Sequence, residues 1–336
     1  MSTRGGSHER QAAEENTMIA HMRLVFALMV LLAVSGAICA APQPRYTLIP
    51  GGMPAGAEPD GNTVVLDAPD GLIVVDTGRH PEHQEKILAY ARAAKKPIVA
   101  IINSHWHLDH TGGNATLLKA YPDAQVYAST AIDGALKGFF PKSRRDGEQY
   151  LASGKATPQQ AEDIRLDIAR VDQPSALRPT RPITGSGVLT IAGLALDVHL
   201  AHFAATEGDV WIHDGDLLIA GDLVVAMVPF LDTACPEGWR RALDEIAATH
   251  FKTLIPGHGE PMTQRQFLDW RHAYDDLLDC SASTKSRQGC IDGWMKDAVA
   301  FIPQSDRDRA AGMVGYYIES RLRAPEGERE RYCHPL

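Results

Sequence analysis

Four side chains that can bind a divalent cation stand within six consecutive positions of the chain. They lie in the segment SHWHLDHTGGN, residues 104–114, and they are His105, His107, Asp109 and His110. Imidazole and carboxylate groups are ligands that borderline divalent ions such as zinc prefer. Beside a hydrophobic run, these groups would be costly to desolvate unless a cation or good hydrogen bonds satisfied them. The segment therefore predicts a metal site, and the alternative is a polar loop with exposed histidines.

Two further candidates lie far along the chain, each at the end of an apolar run. Asp222 follows LLIAG, and His258 follows TLIPG within the segment IPGHGEP. A carboxylate at the end of so apolar a run is better explained by a bound cation than by a turn. The position of His258 between two glycines also fits an exposed loop residue. A third carboxylate, Asp76 in VVDTG, is interpreted as the cap of a turn.

Strands and helices must position these side chains. The histidine segment follows PIVAIIN at 97–103, a continuous apolar run typical of a strand covered on both faces. Upstream, GNTVVLDAPDGLIVVDTG at 61–78 predicts a hairpin that turns at Pro-Asp-Gly. The sequence also predicts a helix over 83–94 and a strand at 124–128. Strand, helix and strand in succession indicate an α/β layered architecture.

The downstream half alternates between insertion, strands and helices. Residues 131–183 are rich in charge, Gln and Pro, and they predict an insertion outside the sheet with a helix at 158–169. After it the sequence predicts strands at 188–191, 194–200, 210–212, 217–220 and 252–255. It also predicts helices at 238–249, 264–278 and 306–322.

Composition limits the classes of partner. Of 336 residues, 44% are hydrophobic and 22% are charged, which is the balance of a globular protein with a sizeable core. The formal net charge of −9 argues against nucleic acid as a principal partner, because phosphate binding needs a basic face. We therefore expect a small-molecule substrate and no nucleic acid, although a local basic patch remains open.

An apolar run near the start predicts export. LVFALMVLLAV at 24–34 follows Arg23 and is followed by small residues through Ala41, a pattern typical of a secretory signal peptide. We expect the mature chain to begin near Ala41, to have no stable membrane span after that removal, and to be periplasmic or secreted. Met18 or Met22 would each serve as an ordinary start for such a signal. An uncleaved anchor and a lipid on Cys39 are the alternatives.

Cysteine usage agrees with an oxidising compartment. After Cys39, four cysteines remain and permit three pairings: Cys235, Cys280, Cys290 and Cys333. Because Cys280 and Cys290 flank one short polar loop, their pairing is favoured, and it leaves Cys235 for Cys333. Buried free thiols are the alternative reading.

The histidine segment resembles a known family. HWHLDH matches the H-x-H-x-D-H signature of the metallo-β-lactamase superfamily, and the likeness extends over roughly residues 45–265. The resemblance implies an αββα four-layer sandwich whose two halves enclose one or two metal ions, usually zinc, with iron or manganese also open. The family domain would cover 41–265 after a leader at 1–40, with the helical insertion at 131–183 and a helical C-terminal extension at 266–336.

The resemblance also implies roles for individual residues. Asp76 would lie near the site and help to hold the histidine loop, Asp222 would bridge two metals, and His258 would be the last metal histidine. The implied reaction is hydrolysis in which a metal-bound hydroxide attacks an ester, thioester, lactone or lactam carbonyl, or a related ester. Asp109 would ligate one metal and orient or deprotonate the attacking water. The implied ligands are His105, His107, Asp109, His110, Asp222 and His258.

One position departs from the family pattern. The family has a metal histidine before a segment like T-x-G-D, and in HFAATEGD that position is Ala205, which cannot bind metal. His202, or else His199, could replace it by a different loop path, or both could simply alternate on a strand. The chain would then bind one metal firmly and a second weakly, or hold two metals with water in the gap.

Substrate and activity remain open within the family. The sequence resembles the glyoxalase-like and general hydrolase branches more than the β-lactamases, and a β-lactamase proper is one alternative. A mononuclear iron oxygenase and a non-catalytic metal- or ligand-binding protein on the same fold are the others. The insertion carries Phe139, Phe140 and Tyr150, which predict a wall or lid over the pocket, with a surface decoration as the alternative.

Overall fold

The computed structural model of the chain describes residues 45–334. The predicted leader at 24–34 and the start codon lie outside these residues. Within them, none of the helices combines the length and the apolar character that a membrane crossing requires.

The first sheet contains the predicted hairpin and the buried strand before the histidine segment. Its strands, in spatial and chain order, are β1 (Tyr46–Ile49), β2 (Thr63–Ala68), β3 (Gly71–Val75), β4 (Ile98–Ile102), β5 (Gln125–Ser129) and β6 (Arg181–Ile183). β2 and β3 pair antiparallel as a hairpin, whereas β3 to β6 run parallel. The prediction of a hairpin at 61–78 is confirmed.

The second sheet carries the two downstream candidate ligands. Its strands are β7 (Gly187–Ile191), β8 (Leu194–His202), β9 (Gly208–Asp214), β10 (Leu217–Val225) and β11 (Thr253–His258), in the order β11-β10-β9-β8-β7. All neighbours pair antiparallel except β10 and β11, which run parallel. Because β10 and β11 are parallel neighbours, their carboxyl ends reach the same edge of the sheet.

The two sheets pack face to face and helices cover both outer faces. The core between the sheets combines residues from each, among them Val64, Ile73, Ile102, Leu196, Ile212 and Ile255. Helices α1 (Pro81–Ala94), α2 (Leu108–Thr111) and α3 (Asn114–Ala120) follow β3 and β4, and α1 and α3 pack on the first sheet through Ile87, Ala91 and Leu117. This is the αββα sandwich that the resemblance implied.

The insertion differs from the prediction at its end. It forms α4 (Ile132–Lys137), α5 (Phe139–Ala152), α6 (Pro158–Val171) and α7 (Pro174–Leu177), so it is more helical than predicted. Residues 181–183, however, are strand β6, which pairs with β5. The prediction that this segment lies wholly outside the sheet is therefore wrong, because the backbone of β5 needs hydrogen-bonding partners that β6 supplies.

Helices cover the outer face of the second sheet. They are α8 (Pro236–Ala248), α9 (Gln264–Ala282), α10 (Arg287–Asp297) and α11 (Arg307–Tyr317), and the short α12 (Glu326–Arg329) follows them along the chain. On α8, Trp239, Leu243 and Ile246 follow the i, i+4, i+7 spacing of a buried face, and they join the core on this side of the sheet. The Trp239 indole donates a 2.9 Å hydrogen bond to the Leu223 carbonyl of β10. Trp270 of α9 likewise donates a 2.9 Å hydrogen bond to the Val225 carbonyl, so the predicted C-terminal helical extension also packs against the strand that carries Asp222.

Two disulfides join the helices on this face. Cys280 at the end of α9 bonds to Cys290 in α10, and Cys235 before α8 bonds to Cys333 near the C-terminus. These are the pairings that the sequence favoured among three.

Candidate metal centre

The histidine segment forms the turn between β4 and α3. His105, Asp109 and His110 are all buried there, and His107 is half-buried. The Ser104 carbonyl accepts a 2.6 Å hydrogen bond from Val210 N of β9, which ties the turn to the second sheet. The turn is therefore held where the two sheets meet, as a site between the halves of the sandwich requires.

One group of candidate ligands consists of Asp109, His110, Asp222 and His258, whose ligand atoms lie within 4.8 Å of one another. His258 Nε2 lies 3.1 Å from Asp109 Oδ2, and His110 Nε2 lies 3.1 Å from Asp222 Oδ1. The two histidine Nε2 atoms are 3.3 Å apart. All four residues are buried, so one cation could be reached by all of them at once.

A second group consists of His105, His107 and Asp222, again within 4.8 Å. His105 Nε2 lies 3.8 Å from Asp222 Oδ2, the oxygen that does not face His110. Asp222 therefore belongs to both groups and presents a different oxygen to each.

Parallel pairing of β10 and β11 brings Asp222 and His258 together. β10 runs on through Asp222, and β11 through His258, so both ligands lie within strands rather than after them as the sequence predicted. Space beside the carboxylate is tight, because a Cβ at Gly257 would lie 2.0 Å from Asp222 Oδ1. Gly221 adopts a positive φ of 53°, a conformation that glycine accepts without strain.

Charge in the cluster favours ionised carboxylates. Burial alone would raise the pKa of Asp222, but His110 and then His258 outweigh it and hold that pKa below its usual value. Burial alone would lower the pKa of His110, yet Asp222 and Asp76 hold it well above its usual range. Burial, with two histidines nearby, lowers the pKa of His105 well below normal. The cluster thus combines ionised carboxylates and a neutral His105, the states in which these groups bind metal, with a protonated His110 that must release its proton when metal binds.

Several buried polar atoms in the cluster lack hydrogen bonds, and this tests whether a cation fits. Among residues 45–334, no hydrogen-bond partner satisfies His105 Nε2, His258 Nδ1 or either carboxylate oxygen of Asp222. Buried polar atoms are rarely left unsatisfied, and a missing ion is a common reason when they are. The donor set of imidazole and carboxylate suits zinc. The residues therefore fit a divalent cation.

Asp76 holds the histidine turn in place through its carboxylate. Its carboxylate accepts 2.7 Å hydrogen bonds from Ser104 N and Ser104 Oγ, and its Oδ2 lies 2.7 Å from His110 Nδ1. Asp76 itself has a positive φ of 61°, an uncommon conformation for a residue other than glycine. The side chain orients a candidate ligand and does not cap its own turn, which corrects the interpretation from sequence and agrees with the role implied by the resemblance.

Asp76→Asn is expected to weaken metal binding by about 10- to 100-fold, because a partner that orients a metal histidine has an effect of that size. The amide offers one acceptor oxygen in place of two, so His110 or Ser104 loses its partner. Competition with a zinc-sensitive dye measures the affinity. Asp70→Asn, an exposed carboxylate in the preceding turn, is the control and should bind zinc like the wild type. Equal affinities for both variants would contradict the role given to Asp76.

The structure brings neither proposed substitute histidine to the site. His202 is exposed at the end of β8, and the His199 ring stacks on Trp211 at 3.7 Å between centroids. Of residues 45–334, only His105, His107 and Asp222 make up the second ligand group. His202 is the last residue of β8, and the chain turns directly after it at Phe203, which has a positive φ of 53°.

Thr233 lies where the second group lacks a histidine. Its hydroxyl donates a 3.1 Å hydrogen bond to the Ala205 carbonyl and lies 3.0 Å from His107 Nε2. Sequence reasoning missed Thr233, because a threonine in the loop FLDTAC carries no signal that distinguishes it from any other. Only the loop's return past Ala205 places it beside His107.

Arg79 is the second residue that the sequence did not reveal. It is buried, its Nη2 lies 3.8 Å from Asp109 Oδ1, and it forms an ion pair with Asp167 of α6. Burial alone would lower its pKa, but Asp167, Asp109 and Glu58 raise it, so it is a permanent cation. An arginine directly after DTG reads as an ordinary surface residue in sequence, because most arginines are exposed.

The same helix is attached to the histidine side of the sandwich at two further points. Asp163 Oδ1 lies 3.2 Å from His80 Nε2, while His80 Nδ1 lies 2.9 Å from Asp60 Oδ2. Arg170 donates a 3.1 Å hydrogen bond to the Gly112 carbonyl in the metal turn. One face of α6 is therefore held against the residues that position Asp109.

This attachment should depend on pH through His80. The hydrogen bond with Asp60 raises the pKa of His80 above its usual value despite partial burial. A raised histidine pKa gives stability that is fully present below about pH 6.5 and is lost as the pH rises through the folded value. His80→Gln should therefore destabilise the protein more at pH 5.5 than at pH 9.

Urea unfolding of both proteins at the two pH values measures the difference. His272→Gln, at an exposed histidine on α9 with 75% of its side chain accessible, is the control and should destabilise the protein less than His80→Gln does at pH 5.5. A His80→Gln effect that is the same at both pH values would contradict the assignment.

A cavity of about 680 Å³ opens over the candidate metal centre. Asp109 and His107 lie on its wall together with Phe139, Phe140 and Tyr150. The insertion therefore lies on the wall of the cavity, as one of its two readings predicted. A volume of this size is ordinary for a small-molecule site.

The chain is similar to known proteins over the residues that form the candidate metal centre. The family model of the metallo-beta-lactamase superfamily matches residues 57–258. A linear primary-alkylsulfatase from Pseudomonas sp. is 27% identical over 227 residues, which cover 61% of this chain and 42% of the relative. A hydroxyacylglutathione hydrolase from Nostoc sp. is 36% identical over 58 residues, covering 17% of this chain and 23% of the relative.

A solved structure shares the fold. The stereoselective inverting sec-alkylsulfatase from Pseudomonas sp. has a TM-score of 0.51 and 18% sequence identity, and the match covers 81% of this chain and 47% of that one. The chain thus spans less than half the length of either alkylsulfatase.

Proposed function

Because this chain belongs to the metallo-β-lactamase superfamily, we propose that it is a metal-dependent hydrolase of a small-molecule ester, thioester, lactone, lactam or related ester. One observation carries the proposal. Asp222 belongs to two buried groups of candidate ligands, and neither of its oxygens accepts a hydrogen bond within residues 45–334. A buried carboxylate that lacks hydrogen bonds is rarely left in this state, and a missing ion is a common reason when it is.

The proposed ligands divide into two sets that share Asp222: His105 and His107 in one, and Asp109, His110 and His258 in the other. A bound zinc ion, or two, would supply an acidic water and polarisation of the bond to be cleaved. Asp109 is the proposed catalytic residue. Its carboxylate would ligate metal and orient the attacking water, while Arg79, 3.8 Å away, keeps that carboxylate ionised and in place.

Asp109 has the charge state that this task requires. Burial opposes its ionisation, but His110, His258 and Arg79 together lower its pKa well below the usual value. A carboxylate that is ionised at neutral pH can accept a hydrogen bond from water at once. The lowered pKa makes it a weak base, so its main contribution is to orient the water and to ligate metal.

We further propose that the protein acts outside the cytoplasm, in the periplasm or after secretion. The disulfides Cys235–Cys333 and Cys280–Cys290 support an oxidising compartment. We also propose that 41–265 is the catalytic domain and that 266–336 is an extension which supports β10 from outside.

The test is a substrate panel with metal content measured on the same sample. The panel contains thioesters, lactones, phosphate and sulfate esters and a chromogenic cephalosporin. We expect hydrolysis of at least one class, loss of that activity with chelator, and recovery with zinc. Because Ala205 leaves the second group without a third histidine, we expect distinctly fewer than two tightly held ions per chain. Two ions retained through chelator dialysis would contradict the view that Ala205 weakens one site.

Ala205 also favours a second candidate, a non-catalytic metal-binding protein on the same fold. Failure to hydrolyse any member of the panel despite full metal loading would support this candidate over the hydrolase. Cleavage of the cephalosporin alone would assign a β-lactamase instead, and visible absorption from bound iron would point to an oxygenase.

A further inference from the structure

The cavity over the candidate metal centre has walls from several parts of the chain, among them the loop at 53–59 and the loop that carries Phe230 and Asp232. One wall is the metal turn itself, with His107, Leu108 and Asp109. The insertion supplies α5 and α6, and the C-terminal extension supplies α11 with Met313 and Tyr317. Two of the parts that line the cavity, the insertion and the C-terminal extension, are thus additions to the core domain.

α6 presents an apolar stripe to this cavity. Ile164, Ile168 and Val171 recur at i, i+4 and i+7, so they lie on one face of the helix, and all three line the cavity. All three are only partly buried. The ion pairs of Asp163 and Asp167 hold the adjacent face against His80 and Arg79. The polar anchors therefore fix the rotation of α6 and keep its apolar stripe toward the cavity.

The apolar wall reaches the candidate ligands directly. Phe139 lies with its ring centroid 6.2 Å from that of His107, and Phe230 lies 5.3 Å from His258 in an edge-to-face arrangement. One phenylalanine thus flanks each side of the candidate metal centre. Met53 and Met313 continue the lining beyond them. A substrate whose reacting bond reaches the candidate metal centre would therefore have these four apolar side chains near its remaining atoms.

The arginines on the cavity wall do not make the cavity a site for anions, because each arginine already forms an ion pair within the protein. Arg79 pairs with Asp167, Arg144 lies 2.9 Å from Glu148, and Arg309 lies 2.8 Å from Asp306. Their charges are compensated, so they do not favour a highly charged substrate.

We infer that this cavity binds an extended hydrocarbon chain, and that the substrate is an ester or thioester with an aliphatic acyl or alkyl chain. The bond that is cleaved rests on the proposed function, whereas the chain site rests on the cavity alone. Ile164, Ile168, Val171, Phe139 and Met313 would be the residues that select for chain length. Each methylene moved from water into such a wall should tighten binding by about fourfold.

The first test measures binding without catalysis. 1-Alkanols from 1-hexanol to 1-decanol are titrated calorimetrically into the full chain after chelator treatment. We expect affinity to rise about fourfold with each methylene, with a negative heat-capacity change from apolar burial. Affinity that does not depend on chain length would overturn the inference, and this measurement needs no variant.

The second test fills the cavity from two opposite walls. Ile168→Trp on α6 and Met313→Trp on α11 should each weaken 1-decanol binding by at least about tenfold, because the indole occupies the space of the chain. Leu166→Trp is the matched control, since Leu166 lies on the same helix and is absent from the cavity wall. If both cavity variants fold and bind 1-decanol like the wild type, the proposed site is wrong.

The two proposals fail in different ways. Alkanol binding that depends on chain length, together with no hydrolysis of any panel substrate, would reject the hydrolase and keep the chain site. Hydrolysis of short esters with no dependence on chain length would keep the hydrolase and reject the chain site.

Discussion

Asp222→Ala is expected to lower kcat/KM by on the order of a thousandfold, which corresponds to about 4 kcal/mol of lost transition-state stabilisation. The same variant should retain no tightly bound metal. Both effects have one cause, since Asp222 is shared between the two groups of candidate ligands and offers one oxygen to each. Loss of a ligand that belongs to only one group would leave the other group of ligands intact. No other single replacement of a candidate ligand should therefore remove as much activity and bound metal.

The measurement combines steady-state kinetics with elemental analysis of the same preparation. Asp216→Ala is the matched control, because Asp216 precedes the same strand and 61% of its side chain is exposed. The control should keep the metal content and the activity of the wild type. An Asp222→Ala protein that still holds one ion through chelator dialysis would show that the remaining histidines suffice, and the shared role of Asp222 would be rejected.

Removing the disulfide between Cys235 and Cys333 is expected to cost about 5 kcal/mol of stability, whereas removing the one between Cys280 and Cys290 should cost about 3 kcal/mol. The difference follows from the loops that the bonds close in the unfolded chain, with sequence separations of 98 and 10 residues. A longer closed loop removes more conformational entropy from the unfolded state. The bond between Cys235 and Cys333 should therefore contribute more to the free energy of unfolding, although each disulfide is a single covalent link.

Paired Cys→Ala variants separate the two contributions. The free energy of unfolding in urea is measured for each pair on chelator-treated protein, so that metal binding does not add to stability. Equal losses for the two pairs, or a larger loss for Cys280 and Cys290, would contradict the loop-entropy explanation. Under reducing conditions the wild type should lose about the sum of the two effects, because the short loop is nested within the long one and shortens it only slightly.

Much of the sandwich could be predicted from local patterns. The buried strand before the histidine segment, the hairpin with its Pro69-Asp70-Gly71 turn, and α8 each carry a period that depends only on neighbouring residues. β6 was missed because three residues, Arg181–Ile183, are too few to show a period. Their strand conformation comes from pairing with β5, which no local pattern reports.

The ligand set was also largely predictable. His105, His107, Asp109 and His110 are adjacent in sequence, and Asp222 and His258 each end an apolar run in the order that the family signature implies. The structure brings all six into two groups that share Asp222. The exception is His202, which the strand leaves exposed.

Local sequence was enough to identify groups whose chemistry depends on residue type and close spacing: the candidate metal ligands, the apolar strands that bear them and the cysteines near α9. Tertiary structure alone decided which distant groups meet, and it placed Arg79 against Asp109 and Thr233 beside His107. It also turned the apolar stripe of α6 toward the cavity. The physical reason is the distance along the chain between the interacting residues. Strand and helix periods arise from neighbouring residues, whereas an ion pair or a cavity wall depends on distant segments that only packing brings together.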